Sequence, residues 1–280
     1  MIMENRIVVG HRCLRWAPRL IVALATAWAL HAGIESVASA QPAATAQPAR
    51  AAAADVASAK ARLAALGSEA KHKVDDAGRL TEISIEDGAD ISADDVALFG
   101  RLLDLRSLKI LNCRALNDAM VKQLAGLSGL DTLALTNSAI TDEGVATLVQ
   151  AFPSLVELDL SSNTNMTGAA LKLIASLTKL ERLTLLQNRF NDLNTRRLAR
   201  LPELKSLDLR GNMEAGDMTL EVIGKLPKLT GLKHRSSAVT DDGLAGLAES
   251  GTLQMSITSS SRADARCRSP SSPRLASSCR

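Results

Sequence analysis

The sequence predicts an α/β solenoid, a stack of short strand–turn–helix units. Three observations carry this. An L-x-x-L-x-L start, or a close variant, recurs at Leu80, Leu105, Leu130, Leu155, Leu180, Leu204 and Leu229, in steps of 24 or 25 residues. A helical apolar pattern fills the back half of a unit, as in Leu171, Leu173, Ile174 and Leu177. The chain is 46% apolar but only 2% aromatic, with no Tyr, so its core is aliphatic. A fixed period in the twenties is the mark of a repeat array.

Taken in order, residues 1–40 read as a secretory signal. Arg6, Arg12, Arg15 and Arg19 form a basic start, Leu20–Leu30 an apolar run of eleven residues, and Ala38-Ser39-Ala40 an A-x-A cleavage site. The alternative is an uncleaved anchor, for which the run is short, since a span needs roughly 20 residues. Residues 41–50 are an Ala/Pro-rich linker. Residues 51–79 form an N-terminal cap. Val56, Ala59, Leu63 and Leu66 keep helical spacing, and a strand and a turn at Asp76-Ala77-Gly78 follow. A solenoid end needs such an atypical cover.

Residues 80–255 are the repeats. Within a unit, positions 4 and 6, such as Leu158 and Leu160, lie on one side of a strand because side chains alternate. One unit cannot bury these leucines alone, but stacked neighbours can. Burial of each contributes roughly 1.5–3 kcal/mol. Ser92, Asn117, Thr141, Thr167, Asn191 and Thr240 are placed to cap the helices that follow. Acids such as Asp94, Asp142, Glu143 and Asp241 suit a first helical turn. In the Leu204 unit the turn GNMEAGDM is the loosest, with its helix expected over Leu220–Leu226. Neutral drift explains such a turn more simply than recognition does.

An eighth start at Leu253 loses the pattern, and residues 256–280 are rich in Ser, Arg and Pro. Such composition predicts disorder. The abrupt change suggests a shifted reading frame or an appended scar, the alternative being a native basic arm for a polyanion.

Position 9 reads Gly88, Cys113, Ser138, Asn163, Asn188, Asn212 and Ser237. With the leucine spacing it resembles the leucine-rich repeat family, whose pattern is LxxLxLxx(N/C)xL. Three Asn and one Cys fit, and the Ser and Gly residues depart from it. The I-T-D-x-G-V/L style of Ile140 and Val239 is similar to the helix-bearing repeats of secreted bacterial members. The resemblance covers about residues 80–253 and implies a horseshoe of about seven repeats. It places a parallel sheet on the concave face and helices on the convex face, with an Asn or Cys at position 9 bonding backbone of adjacent turns. At roughly 4.8 Å per strand the stack would run on the order of 30–35 Å.

The same resemblance places partner contacts on exposed strand residues. This face runs from acidic (Glu82, Glu86, Asp87) to basic (Lys205, Lys233, Arg235), with Leu111 and Leu186 as apolar exceptions. Its expected centre is Glu157, Asp159, Arg182, Leu186, Asp208 and Arg210.

Little points to catalysis. There is no Gly-rich phosphate loop, no H-E-x-x-H and no G-x-S-x-G. His72 lies between two lysines as a surface residue would. His234 takes an inward leucine position, either as a partnered core residue or as a sign of fraying. No cofactor and no metal site are expected: Cys13, Cys113, Cys267 and Cys279 lack zinc spacing. Cys113 is expected as a buried free thiol. The body, residues 41–255, carries 24 basic and 27 acidic side chains, so the net charge of +3 comes from the ends. With so few aromatic platforms this argues against a nucleic-acid partner. The expectation is a monomeric, secreted or periplasmic protein-binding module without catalysis and without a stable membrane span after signal cleavage. Alternatives are a structural or adhesive envelope protein, or the recognition part of a truncated effector enzyme.

Overall fold

The repeat forces a strand wherever L-x-x-L-x-L stands, and the computed structural model, which describes residues 51–248 and 254–257, shows where each falls. A helix α1 (Ala53–Ala65) and a strand β1 (Ala70–Val74) precede the repeats. Strands β2 (Leu80–Ile85), β3 (Ser107–Ile110), β4 (Thr132–Leu135) and β5 (Glu157–Asp159) follow, then β6 (Arg182–Thr184), β7 (Ser206–Asp208) and β8 (Gly231–His234). Between them run α2 (Ala93–Phe99), α3 (Asp118–Leu124), α4 (Asp142–Ala151), α5 (Gly168–Ile174), α6 (Asp192–Thr195) and α7 (Asp217–Gly224). Helix α8 (Asp241–Ala248) leads to β9 (Gln254–Ile257).

One sheet of nine strands holds them in chain order. β1 pairs antiparallel with β2, and every later pair is parallel. The register advances by one repeat per strand, so Leu108, Leu133, Leu158, Leu183, Leu207 and Leu232 stand side by side. All six are essentially inaccessible to solvent and belong to one continuous aliphatic core. β9 extends the sheet although its leucine spacing has lapsed, because backbone pairing needs no leucine. The expected signal, the linker and residues beyond 257 lie outside the described residues.

The turns after the strands carry buried backbone groups that no strand can pair, and the asparagines meet them. Asn188 Nδ2–H donates to the Leu160 carbonyl (2.8 Å), and its Oδ1 accepts from Asn163 N–H (2.8 Å). Asn163 does the same one repeat earlier, to the Leu135 carbonyl and from Ser138 N–H (both 2.7 Å). Asn212 follows with the Leu185 carbonyl (2.7 Å) and the N–H groups of Asn188 (3.2 Å) and Phe190 (3.0 Å). Next to Cys113, which offers no amide oxygen, Gly88 N–H bonds instead to the Leu111 carbonyl (2.7 Å).

A second ladder runs along the helix starts and explains the T-D-x-G pattern. The Asp118 carboxylate accepts from both the N–H (2.9 Å) and the hydroxyl (2.6 Å) of Thr141 in the next repeat. Asp142 holds Thr167, and Asp217 holds Thr240, in the same fork. A side chain at Gly144 or Gly243 would overlap the carboxylates of Asp118 or Asp217, so glycine there admits the fork. Gly168 interrupts the ladder, and the following helix is capped within itself by Asn191 and Asn194. At the N-terminal end Arg62 of α1 bonds Asp95 (2.8 Å), which itself accepts from Ser92.

Ser92, Asn117, Thr141, Thr167 and Asn191 cap as expected. The Leu204 unit differs from expectation, because α7 starts at Asp217, three residues before Leu220. Its N-cap is Gly216 with no capping side chain of its own. Asp192 of the preceding repeat supplies the acceptor, for Gly216 N–H (2.7 Å) and Thr219 N–H (3.0 Å). His234 is fully buried: Nε2 meets the Ala215 carbonyl at 2.9 Å, while Nδ1 has no partner.

Two outcomes follow. Asn188→Ala strands a buried N–H and a buried carbonyl and should cost about 2–6 kcal/mol by chemical denaturation, since each such group costs about 1–3. A loss under 1 kcal/mol would mean that water replaces the amide. Burial pushes the His234 imidazole below its ordinary value, with the nearby carboxylates of Asp192 and Asp208 acting the other way. The unfolded chain takes up the proton first, near pH 6.5, so stability is full above that pH and falls below it. His234→Leu should therefore gain on the parent as pH drops from about 8 to 5. A pH-independent difference in denaturation midpoint would contradict this.

Candidate functional site

Each strand sends alternate side chains out of the sheet, and the parallel register lines them into rows. One row reads Glu82, Ser107, Thr132, Glu157, Arg182, Ser206 and Gly231. The next reads Ser84, Lys109, Ala134, Asp159, Thr184, Asp208 and Lys233. Two residues past that row stand Glu86, Leu111, Thr136, Ser161, Leu186, Arg210 and Arg235.

The structure gathers four of the six expected site residues into two ion pairs. Glu157 and Arg182 are register partners, and Glu157 Oε2 accepts from Arg182 Nη2 (2.8 Å) and Nε (3.1 Å). Lys109 approaches the other carboxylate oxygen at 3.6 Å, on the far side of β4, whose Ala134 is small and buried. Asp208 is nearly covered, at 7% exposure. It accepts from Arg210 Nε (2.9 Å), Nη2 (2.6 Å) and backbone N–H (3.1 Å). That partner raises the Arg210 pKa, so the guanidinium stays charged.

Asp159 stands apart from both pairs. Its Oδ1 accepts from Ser161 N–H (2.9 Å) and hydroxyl (2.5 Å). Burial raises its pKa above the usual carboxylate value, against the Ser161 hydrogen bonds, and the charges of Asp208 and Glu157 add to the rise. Leu186 is half-buried, with its N–H on the Ser161 hydroxyl at 3.2 Å. Four of the six residues of the expected patch are thus held in two mutually neutralised pairs rather than in a field of free charges. Charge letters alone do not reveal such pairing, although the 25-residue offset from Glu157 to Arg182 carries the signal.

Past five of the strands the chain reverses through a left-handed residue: Asn112 (φ 56°), Asn137 (49°), Ser162 (60°), Gln187 (56°) and Gly211 (80°), with Arg189 (58°) a second one in the same repeat as Gln187. Small polar residues and glycine tolerate this best. At the C-terminal side, Leu186, Gln187, Arg210, Gly211, Met213 and Arg235 border a shallow depression of about 400 Å³. Met213 was not among the expected residues. Its one signal was the loose GNMEAGDM turn. His72 is exposed on β1, and Cys113 is buried as a free thiol.

Because folding disfavours the charged form of Asp159, Asp159→Asn should be at least as stable as the parent at pH 7. Its Oδ1 can still accept from Ser161. The advantage should shrink as pH falls through the carboxylate range near 4. A variant less stable than the parent at pH 7 and equal at pH 3 would reverse the argument.

No family model and no curated protein matches the chain. Among solved structures it is similar to an internalin (inlF) of Listeria monocytogenes, with 25% identity and a TM-score of 0.42 over 60% of this chain. It is also similar to the receptor in a TLR13–ssRNA13 complex, with 20% identity and a TM-score of 0.46 over 64% of this chain. The chain spans about half of the internalin (51%) and a quarter of the TLR13 chain (25%). Its own period, its asparagine ladder and its run of parallel strands give it the leucine-rich repeat fold.

Proposed function

We propose that the chain is an exported, non-catalytic module that binds a protein partner on the concave face of its sheet. The supporting observation is the ordered side-chain surface of that face. Glu157–Arg182 and Asp208–Arg210 hold long side chains in fixed places, so less rotamer freedom remains to be lost on binding. Export rests on the basic start, apolar run and A-x-A site of residues 1–40. In this reading residues 51–79 cap the array and residues 80–255 present the face. Among the described residues no helix is long and apolar enough to cross a membrane.

The test is capture from envelope and culture-medium extracts with the full chain, against a charge swap of Glu157→Lys with Arg182→Glu. The swap keeps an ion pair but reverses its polarity. An exposed pair contributes about 0–1 kcal/mol, so stability should hardly move. A partner held by the parent and lost, by about tenfold or more, from the swap would place binding on this face. A partner held equally by both would move binding elsewhere. Retention on wall polysaccharide alone would favour an adhesive role instead.

A further inference from the structure

The depression at the C-terminal side of the face has a chemistry of its own. Its apolar walls are Leu186, half-buried, and Met213, 43% exposed. In a chain whose large apolar residues are mostly covered, Met213 is one of four described as exposed. Gly211 keeps the floor low, since a side chain there would come within 2.7 Å of Gln187 Cγ. Gln187 is exposed beside it, with an amide that can both donate and accept.

The charge around these walls is positive. Asp208 engages Nε and Nη2 of Arg210 and so fixes the plane of the guanidinium, whereas Nη1 has no hydrogen-bond partner among the described residues. A guanidinium has five N–H donors, so an anchored fork remains for a second acceptor. Arg235 is the next residue in the same row, and Lys233 lies two residues before it. Both are exposed and have no ion pair among the described residues. Glu214, in the adjoining turn, makes no ion pair with them.

We propose that this depression takes an acidic peptide segment of a partner protein. An apolar side chain seats between Leu186 and Met213, and a neighbouring carboxylate bridges Arg210 and Arg235. The assignment rests on the concave-face reading and names its partner class. Charge complementarity selects the acid, and the aliphatic and thioether walls select an apolar neighbour. A nucleic acid would meet the same cations but, among the described residues, no exposed Phe, Tyr or Trp ring to stack on, because Phe99, Phe152 and Phe190 are all buried.

The test uses the full chain and a random dodecapeptide display library. The selected pool should place Asp or Glu within two positions of Leu, Ile or Met. A synthetic copy should weaken by about tenfold or more in Arg235→Glu and in Met213→Ser, as for other anchor residues. It should also weaken with added salt. Glu86→Gln, at the other end of the face, should leave it unchanged. Thermal unfolding of both variants at the parent temperature would show that the fold is intact. A pool without acids, no enriched pool, or an acidic peptide indifferent to Arg235→Glu would overturn the proposal. So would tighter binding of a dodecanucleotide lost in the same variants. A peptide indifferent to Arg235→Glu but lost in the Glu157/Arg182 swap would sink this site and keep the wider reading, whereas indifference to both would sink the two together.

Discussion

Buried backbone must find partners, and this chain meets that constraint with side chains from the adjoining repeat. The strands satisfy their own N–H and carbonyl groups through the sheet, but the turns that leave it cannot. Asn163, Asn188 and Asn212 each reach one repeat back to close the account. The helix starts have the same shortage, and the aspartates answer it one repeat forward: Asp118, Asp142, Asp192 and Asp217 each hold backbone N–H groups of the next helix start. The leucines supply the bulk of the driving force, but leucine packing tolerates slippage. Two directional ladders, one in the turns after the strands and one at the helix starts, set the repeat-to-repeat register that packing leaves open.

That register also makes the surface. With each strand one repeat further on, the open face becomes rows of residues 24 or 25 apart in sequence and one strand apart in space. Opposite charges that land in one row neutralise each other, as Glu157 and Arg182 do. At the end of β7, Asp208 and Arg210 do so at two residues' separation. The middle of the face is therefore quieter electrically than its composition implies. Unbalanced charge is left near the C-terminal side, at Lys233 and Arg235, where Leu186 and Met213 also lie.

His234 shows the cost of departing from the pattern. At a leucine position its ring keeps the volume, and the Ala215 carbonyl meets one nitrogen, but the other stays buried without a partner. In the middle of the array Leu160 and Leu185 stand in the equivalent place and leave no polar atom to satisfy.

By itself the sequence determined the period, the repeat starts, the aliphatic core and five of the helix caps, because each depends on residues close together in one unit. It also pointed to the exposed face, since alternation along a strand is a local property. Only the tertiary structure decided that α7 begins at Asp217, because its cap is the carboxylate of Asp192 in the repeat before. It alone paired Glu157 with Arg182, sank Asp208 beneath Arg210 and brought Met213 beside Leu186 and Arg235. The reason is the same each time: stacking joins residues a full repeat apart, and the strength of such a contact depends on the depth and angle at which they meet.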